Sequence, residues 1–140
     1  MAYRFIDHAA DACLEVTARS LPELFCEALR GFTDTIVDLG SVVARVGSSV
    51  DIEATDLEML LVDWLNEMVA LQETDGTLFA RADVDIEESP TGWHLTGVLW
   101  GESFDAARHG LKTLVKAVTF HQLRIEHNAA GWRARVVLDL

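Results

Sequence analysis

The stretch Thr55-Asp56-Leu57-Glu58 and the apolar stripe behind it constrain this chain most. A Thr followed three residues later by Glu forms a capping box, in which side chains satisfy the orphan amides of a helix start. Leu57, Leu60, Leu61, Trp64, Leu65, Met68 and Leu71 then recur at helical spacing, and Asp75-Gly76 supplies a stop. A helix with so large an apolar face gains its stability from a second layer packed against it. Asp63 and Glu67 share the polar side of this helix one turn apart, which reads as a solvated face or as a carboxylate patch open to a partner or cation.

A second helix of the same kind begins at the capping box Ser20-Leu21-Pro22-Glu23. It carries Leu21, Leu24, Phe25, Ala28, Leu29, Phe32 and Ile36 on one side, with Gly40 as the expected stop. Alternating segments surround the two helices. Phe5-Ile6 and Ala12 to Arg19 read as strands. Val42 to Ala54 is strand-like but interrupted at Gly47-Ser48-Ser49. Leu78 to Glu88 and Trp93 to Trp100 form a hairpin around Ser89-Pro90-Thr91-Gly92. An irregular stretch runs from Gly101 through Gly110. Leu114 to Phe120, Leu123 to Glu126 and Trp132 to Leu138 read as three further strands, the last two joined at Asn128 to Gly131. The expectation is one α+β domain over residues 1–140, largely antiparallel, with two main helices packed on the sheets.

Charge narrows the function classes. The chain has 11 basic and 23 acidic residues, a net charge of −12. Such a field repels phosphate backbones, so direct nucleic-acid binding is not expected. No apolar run approaches the roughly 20 residues needed to span a bilayer. The opening residues lack a basic region followed by an apolar one, so a cytoplasmic protein without membrane association is expected. Cys13 and Cys26 have no CxxC spacing and read as small buried hydrophobes.

Candidate chemistry gathers at the two ends. Tyr3-Arg4-Phe5-Ile6 is followed by Asp7-His8-Ala9-Ala10-Asp11, a cluster able to make an Asx-turn or to bind protons or metal. At the other end an apolar strand runs into Asp139 and Leu140, crowding the Asp139 carboxylate against the α-carboxylate. Like charges so placed require a cation or strong donors. Hard oxygen ligands suit calcium or magnesium, and Asp11 adds a third carboxylate if the first strand lies beside the last. The alternative is a structural end held by Lys or Arg. Lys116, within an apolar strand pattern, either points to solvent or meets a carboxylate, and His121 reads as a structural histidine. Ser103, Asp105 and His109 lack a nucleophile elbow, Cys13 with His8 lacks a family signature, and no glycine-rich phosphate loop is present.

Taken together, the blocks resemble the archease family. The matching blocks are Tyr3 to Asp11 with Leu14-Glu15-Val16, Asp56 to Glu67, Gly101 to Asp105 with His109, Val115 to His121, and Gly131 to Leu140. Departures are mild: Ala9 stands where Thr is usual, Ala12-Cys13 where Ile-Gly is common, and Phe120 where Tyr is common. The resemblance implies a sandwich of two small mixed or antiparallel sheets with two main helices. It implies a non-catalytic cofactor of an RtcB-type RNA ligase in tRNA splicing or RNA repair, promoting guanylylation and multiple turnover of its partner. It also implies a divalent cation, calcium or otherwise magnesium, on Asp11, Asp139 and Leu140, the last through its backbone carboxylate. Lys116 is implied as an activation residue, and His8 of the opening motif is grouped with it on the partner side. The family also suggests a chaperone-like modulator of a tRNA-modifying enzyme such as a tRNA methyltransferase. A metal-dependent hydrolase built on Asp7, His8 and Asp11 is the weakest reading, because no nucleophile or substrate cradle accompanies them.

Overall fold

A computed structural model describes residues 2–7 and 11–140, with residues 6 and 7 described by their backbone. The elements are β1 (Ala2–Asp7), β2 (Asp11–Ala18), α1 (Leu21–Ile36), β3 (Val46–Ala54), α2 (Leu57–Asp75), β4 (Thr77–Ser89), β5 (Gly92–Ser103), β6 (Ala117–Asn128) and β7 (Gly131–Asp139). They form a four-stranded sheet in the order β1-β2-β7-β6 and a three-stranded sheet in the order β3-β5-β4. Every pairing is antiparallel, so neither sheet is mixed. Among the described residues no helix is long and apolar enough to cross a membrane.

The helices join the two sheets. α1 packs on β2 of one sheet and β4 of the other, and α2 packs on β6 and on β3. This double packing explains why α2 buries Val62 and Val69 as well as Leu60, Leu61, Trp64, Leu65 and Met68. Its apolar surface wraps beyond one stripe because it has a sheet on more than one side. The Trp64 indole N–H donates to the Phe25 carbonyl at 2.9 Å, tying the helices together without leaving a buried donor unpaired.

Several boundaries differ from the sequence expectation, each for a local reason. α2 is capped by Asp56, not Thr55: the Asp56 Oδ1 accepts from the Met59 amide at 2.8 Å, and Asp ranks above Thr as a cap. Gly76, at φ 63°, closes α2 in the left-handed conformation that glycine adopts cheaply. α1 ends at Ile36, before Gly40, because Asp38 caps a separate short turn over Leu39–Ser41. β3 runs unbroken through Gly47-Ser48-Ser49, where a Cβ on Gly47 would stand 3.0 Å from the Trp100 ring. The two strands expected at Leu114–Phe120 and Leu123–Glu126 are one strand, β6, with an irregularity between Thr119 and Arg124 and Gln122 at φ 55°. That irregularity breaks the alternation that reads as a strand. It also leaves His121 exposed, correcting its reading as a structural histidine.

Candidate functional site: the carboxylate end of the four-stranded sheet

The register of β2 on β7 sets Asp11 directly opposite Asp139, and the register of β6 on β7 sets Ala117 opposite Asp139 from the other side. The Lys116 amide donates to the Asp139 carbonyl at 2.8 Å. The strand beside β7 is therefore β2, which begins at Asp11, and not the first strand of the chain. Residues opposite each other in an antiparallel pair share a face, with Cβ atoms about 5 Å apart. Leu14, Val16, Val136 and Leu138 take the core face of these strands, so Asp11 and Asp139 belong to the outer one. Asp139 and Lys116 are exposed, and Asp11 and Leu140 are half-buried. Asp11, Lys116, Asp139 and Leu140 thus meet at one end of one sheet. His8 lies outside the described residues.

Among the described residues, no group of three or more His, Cys, Asp or Glu side chains could hold a metal ion. The expected ligand set contributes two such side chains, Asp11 and Asp139, and its third member is a backbone carboxylate. All three are hard oxygen donors of the kind calcium and magnesium accept.

Two further clusters escaped sequence reasoning. On the outer face of the same sheet, Glu15 is buried beneath three guanidiniums. The Arg4 Nη2 and Arg133 Nη2 each stand 2.8 Å from its Oε1, and the Arg135 Nη2 stands 3.5 Å from its Oε2. The hydrogen bond from Arg133, reinforced by Arg4, holds the Glu15 carboxyl below its ordinary range against the opposing effect of burial. The signal was present as period-two charges, at Arg133 and Arg135 above all, but the partners lie on three different strands.

The second cluster lies on the segment that follows β5. Glu102, almost fully buried, pairs with Arg108 and accepts from the Val43 amide at 2.6 Å. His109 is completely buried; its Nδ1 accepts from the Asp105 amide at 2.9 Å, which puts the ring proton on Nε2, 3.1 Å from Glu102. The Arg108 bond lowers the Glu102 carboxyl to about 2, with Val43 and His109 adding to the effect against burial. This network pins the segment after β5 to the approach to β3. It orders residues that the sequence left irregular, and it gives Asp105 and His109 a structural task. Neither cysteine is set up as a nucleophile: Cys13 is buried, and burial pushes the Cys26 thiol up to about 11.

The chain is matched over residues 3–140 by the model of the Archease protein family. It is 38% identical over 140 residues to protein archease of Methanopyrus kandleri, with all of both chains covered. It is 39% identical over 141 residues to protein archease of Archaeoglobus fulgidus, again end to end. The solution structure of protein 1598 of Methanobacterium thermoautotrophicum superposes with a TM-score of 0.87 at 34% identity, covering 99% of each chain.

Proposed function

The chain belongs to the archease family, and from that premise we propose that it is a non-catalytic protein cofactor of an RtcB-type RNA ligase, promoting guanylylation and repeated turnover of that enzyme. One observation carries the reading: the registers that set Asp11 across from Asp139, with the Lys116 amide bonded to Asp139 from the neighbouring strand. Asp11 and Asp139, with the carboxylate of Leu140, would hold a divalent cation, calcium or else magnesium. The donor chemistry fits: carboxylates on neighbouring strands share one sheet face, and two like charges there are stabilised by a cation between them. When bound, the ion supplies fixed positive charge at the sheet end. Lys116 adds an exposed ammonium beside it, and His8 stands in the adjoining opening motif. Asp11, Lys116, Asp139 and Leu140 meet at one end of the sheet and offer the ligase a mixed-charge surface for docking. The acidic balance of the chain agrees with a helper that leaves RNA contact to its partner.

The test is multiple-turnover joining of RNA ends by a cognate RtcB-type ligase, with this protein added at low molar ratio. The proposal expects acceleration, lost with Asp139→Asn and with Lys116→Ala while the fold persists. No acceleration by the unaltered protein would overturn the ligase reading. Acceleration that survives Asp139→Asn would overturn the role given to the sheet end.

A further inference from the structure

We propose that the arginine row on the outer face of the four-stranded sheet binds the phosphate group of a small phosphorylated ligand. The row follows from register alone. Arg4 lies opposite Glu15, Glu15 opposite Arg135, and Arg135 opposite Arg124, so one line of side chains crosses all four strands. Arg133 stands in the next line and reaches the same Glu15 oxygen as Arg4. The row lies about 13 Å along the strands from Asp11 and Asp139, four residues at strand rise, and is separate from that site.

Two features of the row point to an anion as its ligand. Arg135 and Arg124 are direct cross-strand neighbours, an arrangement that destabilises a sheet unless something negative lies between them. Among the described residues Arg124 is partnered by Glu126 on its own strand, at 3.2 Å, and by no carboxylate of β7. Arg135 is the guanidinium least engaged by Glu15, at 3.5 Å, which leaves its donors available to a further acceptor. Above Glu15 is a cavity of about 170 Å³ bordered by Arg124, Glu126, Arg133 and Arg135.

Charge selects the ligand. The four guanidiniums Arg4, Arg124, Arg133 and Arg135 face the carboxylates of Glu15 and Glu126, leaving two positive charges. A phosphate monoester carries a charge of about −1.5 to −2 at neutral pH and offers three acceptor oxygens. Arginine forks are suited to those oxygens. A lone carboxylate brings half that charge, and one already sits at the base of the cluster. The chain as a whole, at net −12, works against a long polyanion, which favours a ligand with one or two phosphates.

The experiment titrates the intact protein with inorganic phosphate, pyrophosphate and a nucleoside diphosphate, following the arginine Nε–H signals by NMR. The inference expects saturable shifts at Arg124, Arg133 and Arg135, which border the cavity, and none at Arg81 on the other sheet. Tighter binding of the nucleoside diphosphate than of pyrophosphate assigns the phosphate to a nucleotide; equal binding assigns it to free phosphate. Arg135→Gln should weaken pyrophosphate by about tenfold or more, the loss of one charge-assisted hydrogen bond. Glu15→Gln, which keeps an acceptor but removes the opposing charge, should tighten it. Absence of saturable shifts in the unaltered protein would overturn the inference without recourse to any variant. So would a short poly-glutamate peptide that outcompetes pyrophosphate, or a folded Glu15→Gln protein that binds no tighter.

Discussion

The outer faces of the two sheets handle charge in opposite ways. On the four-stranded sheet, the buried Glu15 is surrounded by Arg4, Arg133 and Arg135. On the three-stranded sheet, Asp51 and Glu53 of β3 and Asp83, Asp85 and Glu87 of β4 flank β5. There His94 lies opposite both Glu53 and Glu87 and bonds Asp51 at 2.8 Å, while Arg81 pairs with Asp83 at 3.1 Å. The net charge of −12 is therefore unevenly spread. One face gathers carboxylates that repel each other in open solvent, and the other holds its central carboxylate with excess arginine. A uniform repulsion of anions, read from composition, becomes a direction-dependent field once strand pairing is known.

The contrast breaks most visibly at Glu15. Glu15→Ala leaves three guanidiniums facing one another, and unfolding by urea should show a loss of about 2 kcal/mol with an unchanged m-value. A loss within error of zero would mean that the arginines do not depend on it. Acid sharpens the difference between a held carboxylate and a free one. Glu102 has its carboxyl lowered to about 2, so it stabilises the fold above the ordinary glutamate range, and that contribution is lost as pH falls from about 4.5 towards 2. Thermal unfolding of Glu102→Gln should show a lower melting temperature at pH 6 and a shallower fall between pH 5 and 2.5 than the unaltered protein.

The acidic face should respond with the reverse sign. Asp85→Asn removes one of several neighbouring exposed carboxylates and should stabilise by a few tenths of a kcal/mol at low salt, an effect that about 1 M salt erases. The smallest effect concerns His94. Its bond to Asp51, helped by Glu53 and Glu87, raises its proton affinity. Its contribution is complete below the ordinary histidine range and is lost as pH rises through the raised value. The stability difference between the unaltered protein and His94→Gln should therefore shrink from pH 5.5 to pH 8.5, as measured by urea titration.

The helices were readable in the sequence because 3.6-residue periodicity and caps are local: the burial of Leu24, Phe25, Leu60 and Trp64 follows from spacing alone. The hairpin of β4 and β5 was readable for the same reason, through Ser89 to Gly92. Where tertiary geometry intervened, local reading lost ground. The irregularity at Gln122 made the single strand β6 read as two, and β3 runs through Gly47, packed against the Trp100 ring, where the local sequence suggested a break. At the sheet end, charge crowding and the family resemblance named Asp11 and Asp139, but their direct opposition depends on pairing residues 128 positions apart. The period-two charges of the Glu15 cluster could not be assembled from sequence, because its four members stand on β1, β2 and β7 and no local pattern says which strands adjoin.

The most direct measurement of the central claim is a calcium titration of the intact protein followed by backbone amide NMR. The account predicts saturable shifts at Asp11, Lys116, Asp139 and Leu140, abolished by Asp139→Asn and unchanged by Asp51→Asn on the acidic face. Shifts centred instead on Asp51, Asp85 and Glu87, persisting in Asp139→Asn, would contradict it.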